Sequence, residues 1–362
     1  MLHDAQETAL QERRGVEMSA EPKVLVSRMS TYPLEEYDAY VATHPDASPY
    51  HRGAWLEATA RAYHHPGWLI TVHRGGTLCG VLPLVEVKPP FGSKSMVSLP
   101  FCDLGGPLAD DDDARCRLLE GARTFAATRS ANVPELREGG AALEKAEQGN
   151  KAPPRKVRML CPLPVNSDAL FKSYKPKLRS QIRKAEKNGL RAEIHTDIGA
   201  VNLFYEVFAG NMHRLGSPVH SREWFHELKQ AYGDQMIVGL VFLDDQPVGA
   251  GIVLNTGSQA CIPWASTLEQ YNHLAPNMLL YWTLLSHVCD QGCKLFDFGR
   301  STIGEGTYRF KKQWGAKPYA LPWANQPRTA SRLRPFIESV WRRLPLGVAN
   351  WVGPKVRRYI TL

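Results

Sequence analysis

Long apolar runs are missing from this chain. The longest, Met236 to Leu243, has eight residues, against the roughly 18 that a bilayer-spanning helix needs. The opening residues, MLHDAQETALQERRG, mix acids and bases, so neither a secretory signal nor a transit peptide is expected there. Cys79, Cys102, Cys116, Cys161, Cys261, Cys289 and Cys293 form no CxxC pair. Cys289 and Cys293 lie one helical turn apart but lack a second Cys/His pair, so buried thiols in a reducing cytoplasm are expected and a metal site is not. GxSxG, HExxH, a Walker loop and a GxGxxG after a strand are all absent, which removes several common enzyme classes. A disordered, collagenous or coiled-coil composition is absent too. With 43% hydrophobic and 22% charged residues over 362 positions, the chain is globular and long enough for two domains.

What is present is unevenly placed charge. The net is +8, yet Phe171 to Arg191 carries eight bases against Glu186, and Arg328 to the end carries eight against Glu338. The rest of the chain is therefore acidic. Two compact basic segments on an acidic body fit anionic partners, or else two solvated helix faces.

The chain also repeats itself. An ungapped offset of 169 residues pairs His44 with His213, Ser48 with Ser217, Pro49 with Pro218, His51 with His220 and Trp55 with Trp224. It continues through Ala62/Ala231, Tyr63/Tyr232, Val72/Val241, Gly80/Gly249 and Pro107/Pro276. Seven of these ten identities fall within positions 44–63, where composition alone gives about one. The shared string is S-P-x-H-x3-W-(L/F)-x5-A-Y, and a period this long marks a duplicated domain.

Each copy reads as the same mixed order. In the first, a strand at 24–27 precedes helices at 34–43 and 52–63, a hairpin of 68–73 with 78–87, a strand near 94–98 and a helix at 112–128. In the second, one basic helix over 167–188 is followed by helices at 199–214 and 222–232. Next come the hairpin 236–243 with 248–255, a strand at 260–265, a helix at 276–291 and a short strand at 295–298 ending in Gly299. Residues 139–156 read as an exposed loop near the boundary. Hairpin, third antiparallel strand, helix and further strand is the order of the GNAT acyltransferase core. The expected architecture is α/β (α+β): tandem duplicated GNAT domains with mixed, mostly antiparallel sheets, at 22–165 and 166–326, and a basic aromatic tail at 327–362.

The densest chemistry is FDFGRSTIGEGTYRFKKQW, Phe296 to Trp314. A short apolar strand delivers Asp297 and Arg300, and Gly299, Gly304 and Gly306 let backbone approach a ligand. Ser301, Thr302 and Thr307 add hydroxyl donors, and a short helix presents Arg309, Lys311 and Lys312. Lys311 is the candidate for stabilising a tetrahedral oxyanion, which needs a pre-placed cation or donor. Asp297 or Glu305 is the candidate to accept a proton from an attacking amine. The structural alternative pairs Asp297 with Arg300 and leaves Lys311 and Lys312 in water. Arg179 and Arg183, one helical turn apart and close to Lys177, are placed to grip acceptor phosphates. Before the helix at 276–291, where a GNAT enzyme sets a glycine-rich loop against acyl-CoA pyrophosphate, the chain reads NHLAPN, with no glycine, so CoA is not expected there. His51 and His220 precede equivalent helices, where a structural role is expected.

Four strings carry a resemblance to a known family: KPKLRSQIRKAEKNGL (Lys175–Leu190), NMHRLGSPV (Asn211–Val219), PNMLLYW (Pro276–Trp282) and FDFGRSTIGEGTYRFKKQWGAKP (Phe296–Pro318). With ELR at Glu135–Arg137, they resemble the FemAB family of tandem GNAT-fold aminoacyl and acyl transferases over roughly residues 22–352. The branch they look most like is that of FemAB-like proteins of exosortase/PEP-CTERM systems and exopolysaccharide loci. Better-known members move an amino acid from aminoacyl-tRNA to a peptidoglycan-precursor amine without acyl-CoA. Their F-K-x2-(F/W)-G segment matches Phe310, Lys311, Trp314 and Gly315, so the resemblance implies that Phe310 and Lys311 line the acceptor cleft. Arg300, Ser301, Thr307, Tyr308, Arg309 and Trp314 complete the expected substrate-binding set. Lys172–Gly189 reads as one helix rather than a coiled-coil arm, which leaves tRNA use open.

The expected activity is acyl or aminoacyl transfer to a phosphate-bearing or lipid-linked envelope precursor, an exopolysaccharide or a muropeptide. No bound cofactor is expected; the co-substrate is an activated donor, acyl-CoA or aminoacyl-tRNA. The alternatives are a non-catalytic binder of an anionic glycan or lipid-linked intermediate, and an acyl-CoA-dependent N-acetyltransferase. The expected location is cytoplasmic. In the tail, Phe336, Val340, Trp341 and Leu344 recur on one helical face among arginines. Such a segment either meets an anionic inner membrane or packs on the second domain, and Pro345 and Pro354 argue for packing.

Overall fold

A computed structural model of the chain describes residues 21–90, 92–143, 156–323 and 334–361. The first unit runs β1 (Lys23–Arg28), α1 (Leu34–Thr43), α2 (Gly53–Tyr63), β2 (Gly67–Arg74), β3 (Thr77–Val87), β4 (Ser95–Val97), β5 (Leu108–Ala109) and α3 (Asp112–Thr128). Its antiparallel sheet has the order β1-β2-β3-β4, with β5 also on β3. The Asp110–Asp113 run begins α3 as expected: Asp111 accepts from Ala114 N at 2.8 Å, an N-cap.

The second unit starts with β6 (Lys156–Pro162), α4 (Ser167–Ser173), α5 (Pro176–Lys187), β7 (Leu190–His195), α6 (Ile198–Leu215) and α7 (Arg222–Tyr232). It continues with β8 (Met236–Leu243), β9 (Gln246–Asn255), β10 (Gln259–Thr267), α8 (Pro276–Asp290), β11 (Leu295–Thr302), α9 (Gly306–Gln313) and β12 (Lys317–Ala320). The sheet order is β12-β6-β11-β10-β9-β8-β7, and β10 with β11 is its parallel pair. The apolar run Met236–Leu243 is β8, buried almost throughout because helices cover both faces of the strand.

The duplication is visible in register. Val72 faces Gly80 across β2 and β3, and Val241 faces Gly249 across β8 and β9. Both hairpins then shift register at the next residue. The repeated S-P-x-H string joins the two units. Trp55 and Trp224 meet edge-on at 5.2 Å, Tyr63 stacks on Trp224 at 5.5 Å, and Tyr232 Oη donates to Pro49 O at 2.8 Å. One apolar core therefore runs from Tyr37 and Trp55 across to Phe204, Trp224 and Leu254.

Several expectations need correction. The helix read over 167–188 is two helices, because Pro176 excludes helical backbone at Lys175 and restarts the turn as the first residue of α5. β6 lies before the boundary expected at 165/166, yet it pairs with β11 and β12 of the second sheet. Residues 140–142 are tied to β12 through Gly140 N to Ala320 O at 3.0 Å and a bridge of Ala142 with Tyr319. Of the loop expected at 139–156, residues 144–155 lie outside the described residues. β11 does not end at Gly299 but runs on to Thr302. Six of the seven cysteines are buried, whereas Cys116 is exposed.

The tail forms α10 (Arg334–Arg343) and α11 (Leu346–Arg357). α10 crosses α6 so closely that a Cβ on Gly216 would lie 2.6 Å from Glu338 O, and Gly216 has φ +74°. Only glycine fits that crossing. Val340 is exposed while Trp341 is buried, so the expected apolar face is split between solvent and core; the side chain of Phe336 lies outside the described residues. Among the described residues no helix is long and apolar enough to cross a membrane.

Candidate active site

β10 and β11 pair in parallel at Gln259/Leu295, Ala260/Phe296 and Cys261/Asp297. Just beyond, β10 shifts register on β9 between Cys261 and Trp264, and β11 shifts on β6 between Asp297 and Arg300. Both strands thus bulge at the same level. Gly299 sits in the β11 bulge at φ +72°, a left-handed conformation that side chains resist.

A carboxylate from the first unit enters here. Asp103 Oδ2 accepts Arg300 N at 2.9 Å, and Asp103 Oδ1 lies 3.7 Å from Arg300 Nε. Its carbonyl accepts Trp323 Nε1 at 3.1 Å, and the Arg300 guanidinium lies 5.1 Å over the Trp323 ring. Asp297 is buried, with Oδ2 accepting Arg158 Nε at 2.7 Å and Oδ1 accepting Gly299 N at 2.8 Å. The expected proton acceptor is thus committed to an ion pair and a backbone donor. Its partner is Arg158, not the Arg300 of the structural alternative.

Lys311 does not face water. It is 8% exposed at the end of α9, and Nζ donates to Arg300 O at 2.8 Å. Burial lowers its pKa from 10.5 to about 8, against the pull of the Asp103 and Asp297 carboxylates and with a push from Arg300. A buried ammonium with its pKa lowered toward neutrality, held at a strand bulge, marks Lys311 as the candidate for chemistry.

The other expected residues divide. Glu305 is exposed at the N-cap position of α9, where its side chain makes no cap. Thr307 and Arg309 are exposed, and Lys312 is too. Tyr308 and Phe310 are half-buried, with Phe310 edge-on to Tyr281 at 4.9 Å. Trp314 is wholly buried against Tyr174 at 5.4 Å. Its expected substrate contact is therefore corrected to a core position that ties α9 to the segment leading into α5. Ser301 Oγ is buried without a partner among the described residues, and Thr302 accepts Lys156 Nζ at 2.6 Å. On α5, Arg179 and Arg183 line one groove of about 510 Å³ with Pro176, Ser180, Lys184 and Lys187, while Lys177 is exposed. Arg183 also lies 5.3 Å over Phe171.

Sequence reasoning missed Asp103, Arg158 and Trp323. It also missed a cavity of about 460 Å³ between the units, bounded by His51, Arg115, Arg137, Glu138, Arg158 and Tyr319 among others. Arg158 links that cavity to Asp297. His51 is structural as expected: Nδ1 accepts Ser48 N at 3.1 Å, and burial lowers its pKa to about 4, so the ring is neutral. His220 is likewise buried, with its pKa lowered by burial and by Arg357. At the start of α8, Ala275 takes φ +65° and Pro276 opens the helix.

Comparisons with known proteins agree with the fold. Residues 172–312 match the family model of an acetyltransferase (GNAT) domain. The fold is similar to the crystal structure of FemX at a TM-score of 0.65, with 18% identity over 83% of this chain and 95% of that one. It is also similar to the C-terminal domain of a putative lysylphosphatidylglycerol synthetase from Agrobacterium fabrum (TM-score 0.51, 13% identity, 81% and 92% covered). L-PGS from Bacillus licheniformis gives TM-score 0.51 at 10% identity, with 91% and 97% covered. No curated protein sequence matches the chain.

Proposed function

We propose that this chain, which shares a tandem GNAT fold with FemX and matches a GNAT acetyltransferase domain over residues 172–312, is a FemAB-like protein that transfers an acyl or aminoacyl group to a cell-envelope precursor. The observation that carries the proposal is Lys311, buried and held by Arg300 O at the bulge where β10 and β11 part. An acceptor amine or hydroxyl attacks the carbonyl of an activated ester or thioester. The new C–N or C–O bond forms as the carbonyl oxygen gains negative charge. The bond to the donor's leaving group then breaks, and the nucleophile's proton departs with that group or to solvent. Lys311 supplies the pre-placed cation for the transient oxyanion. With Asp297 committed to Arg158, Glu305 at the open end of α9 is the remaining candidate base.

The acceptor is proposed to be phosphate-bearing or lipid-linked, an exopolysaccharide or peptidoglycan precursor, with phosphates gripped by Arg179 and Arg183 along the α5 groove. The donor is proposed as aminoacyl-tRNA or an acyl thioester not held at 272–277, because that segment has no glycine. The structure of FemX and that of a putative lysylphosphatidylglycerol synthetase domain support the transferase reading through their shared fold. The site of action is proposed to be the cytoplasmic side of the inner membrane.

The test is mass spectrometry of envelope glycans and muropeptides from a deletion strain, complemented by wild type or by Lys311→Ala. A modification lost on deletion, restored by wild type and not by Lys311→Ala, is expected. Restoration by the variant to within about threefold would overturn the role of Lys311, since removing one oxyanion donor costs about 100-fold. No difference between strains would remove the envelope acceptor.

A further inference from the structure

We infer that the outer face of α10 and α11 is a docking surface for an anionic lipid bilayer. The inference extends the lipid-linked reading of the acceptor, and the contacts that carry it are independent of that reading. The inner side of the tail is fixed to the protein. Trp341 and Ala349 are buried, His213 Nε2 meets Leu344 O at 2.8 Å, and Gly353 packs so tightly that a Cβ would lie 3.0 Å from Val219 N. At the far end Arg357 Nε donates to His220 Nε2 at 3.1 Å, and Phe101 N donates to Thr361 O at 2.7 Å. The helix is therefore ordered before any partner arrives, and docking need not fold it.

The outer side is apolar where a soluble surface would be polar. Trp351 is 67% exposed, with Leu346 at 45%, Val340 at 43% and Val348 at 42%. Val348, Trp351 and Lys355 recur at i, i+3 and i+7, one face of α11. Lys355 Nζ lies 3.4 Å from the Trp351 ring centre, a basic rim directly on the aromatic. From Arg334 to Leu362 there are six bases and one acid, Glu338, which lies 3.9 Å from Arg342. Of these bases, Arg342, Arg343 and Lys355 are exposed, although Arg342 also donates to Leu215 O at 3.4 Å. A large exposed indole among aliphatic residues, rimmed by cations, matches the headgroup–acyl boundary of an anionic bilayer. An RNA partner would use the cations but leave Leu346 and Val348 without a role.

The full chain is tested by flotation with vesicles of phosphatidylcholine alone and with about a third phosphatidylglycerol. Two variants use exposed positions, so their folding is checked by an unchanged melting temperature: Leu346→Ser/Val348→Ser/Trp351→Ser and Arg343→Glu/Lys355→Glu. Wild type is expected to float with anionic vesicles and less so as salt rises. Each variant is expected to lose about tenfold or more in partitioning. Equal binding to neutral and anionic vesicles, no binding, or wild-type partitioning by both variants would overturn the inference. So would variants that keep vesicle binding but lose binding to bulk tRNA, which would reassign the face to nucleic acid. No transfer substrate is used, so failure here leaves the transferase proposal untouched, and the converse holds.

Discussion

Replacing Lys311 by methionine separates a residue kept for chemistry from one kept for stability. The ammonium titrates at about 8 rather than 10.5, so its charged form is about 3 kcal/mol less favourable in the fold than in water. That penalty is fully present below pH 8, where Lys311 is charged in both folded and unfolded chains. Between about 8 and 10.5 the unfolded chain binds more protons, so stability rises with pH until both states are neutral. Methionine fills nearly the same volume and removes the penalty. It also leaves Arg300 O without its 2.8 Å donor, which costs about 1–2 kcal/mol. The expected result near pH 7 is a gain of about 1–2 kcal/mol, shrinking and then reversing toward pH 10.5, with turnover down by about 100-fold. Urea titrations of both proteins near pH 7 and pH 10 measure this. A loss of more than about 1 kcal/mol near pH 7 would refute the reasoning and make Lys311 a structural lysine.

Asp297→Asn leaves the mostly buried Arg158 guanidinium without its counter-charge and is expected to destabilise by about 3 kcal/mol or more in denaturant titration; unchanged stability with lost turnover would restore Asp297 as a base. Asp103→Asn removes a carboxylate that raises the Lys311 pKa, so the high-pH limb of the rate profile should move to lower pH. Gly299→Ala forces a side chain into φ +72° with its Cβ 3.3 Å from Asp103 Oδ2, an expected loss of about 1–2 kcal/mol by thermal melt. Arg179→Gln with Arg183→Gln should raise KM for a phosphate-bearing acceptor about tenfold or more while leaving kcat within about twofold.

The duplication and most elements were legible because their signals are local. Val72/Gly80 and Val241/Gly249 repeat a hairpin register, and the S-P-x-H string builds both sides of one interface. β7 and β12 were not legible: LRAEIH and KPYA are short edge strands in which burial hardly alternates. β6 is placed by partners that come more than 130 residues later, and its own sequence cannot show that it precedes its sheet. Of the candidate site, the sequence singles out the segment 296–314 but not its wiring. Lys311 and Lys312 are neighbours of one type, and only the seating of α9 buries the first and exposes the second. Asp103 is 197 residues from Arg300, in a loop whose sequence carries no motif.

The two units have diverged at one topological position. In the second unit the strand after β10 and α8 returns as β11 and pairs in parallel over three residues before parting. In the first unit the segment after β4 and α3 returns at Glu135 and makes a single parallel bridge with Val97. The chain leaving β4 there continues as a mostly buried loop that carries Asp103 to Arg300. Glu135 and Arg137 brace that loop. Ser98 N donates to Glu135 O at 2.9 Å, Gly105 N to Arg137 O at 3.0 Å, and the buried Arg137 guanidinium to Cys102 O at 2.8 Å and to Glu135. The ELR string therefore braces the loop whose Asp103 carboxylate enters the other unit. The tail completes the brace, since Thr361 O accepts Phe101 N within the same loop. A tandem of two similar folds so arranged makes one candidate site, built on the sheet of the second unit and reached by the Asp103 carboxylate from a loop of the first.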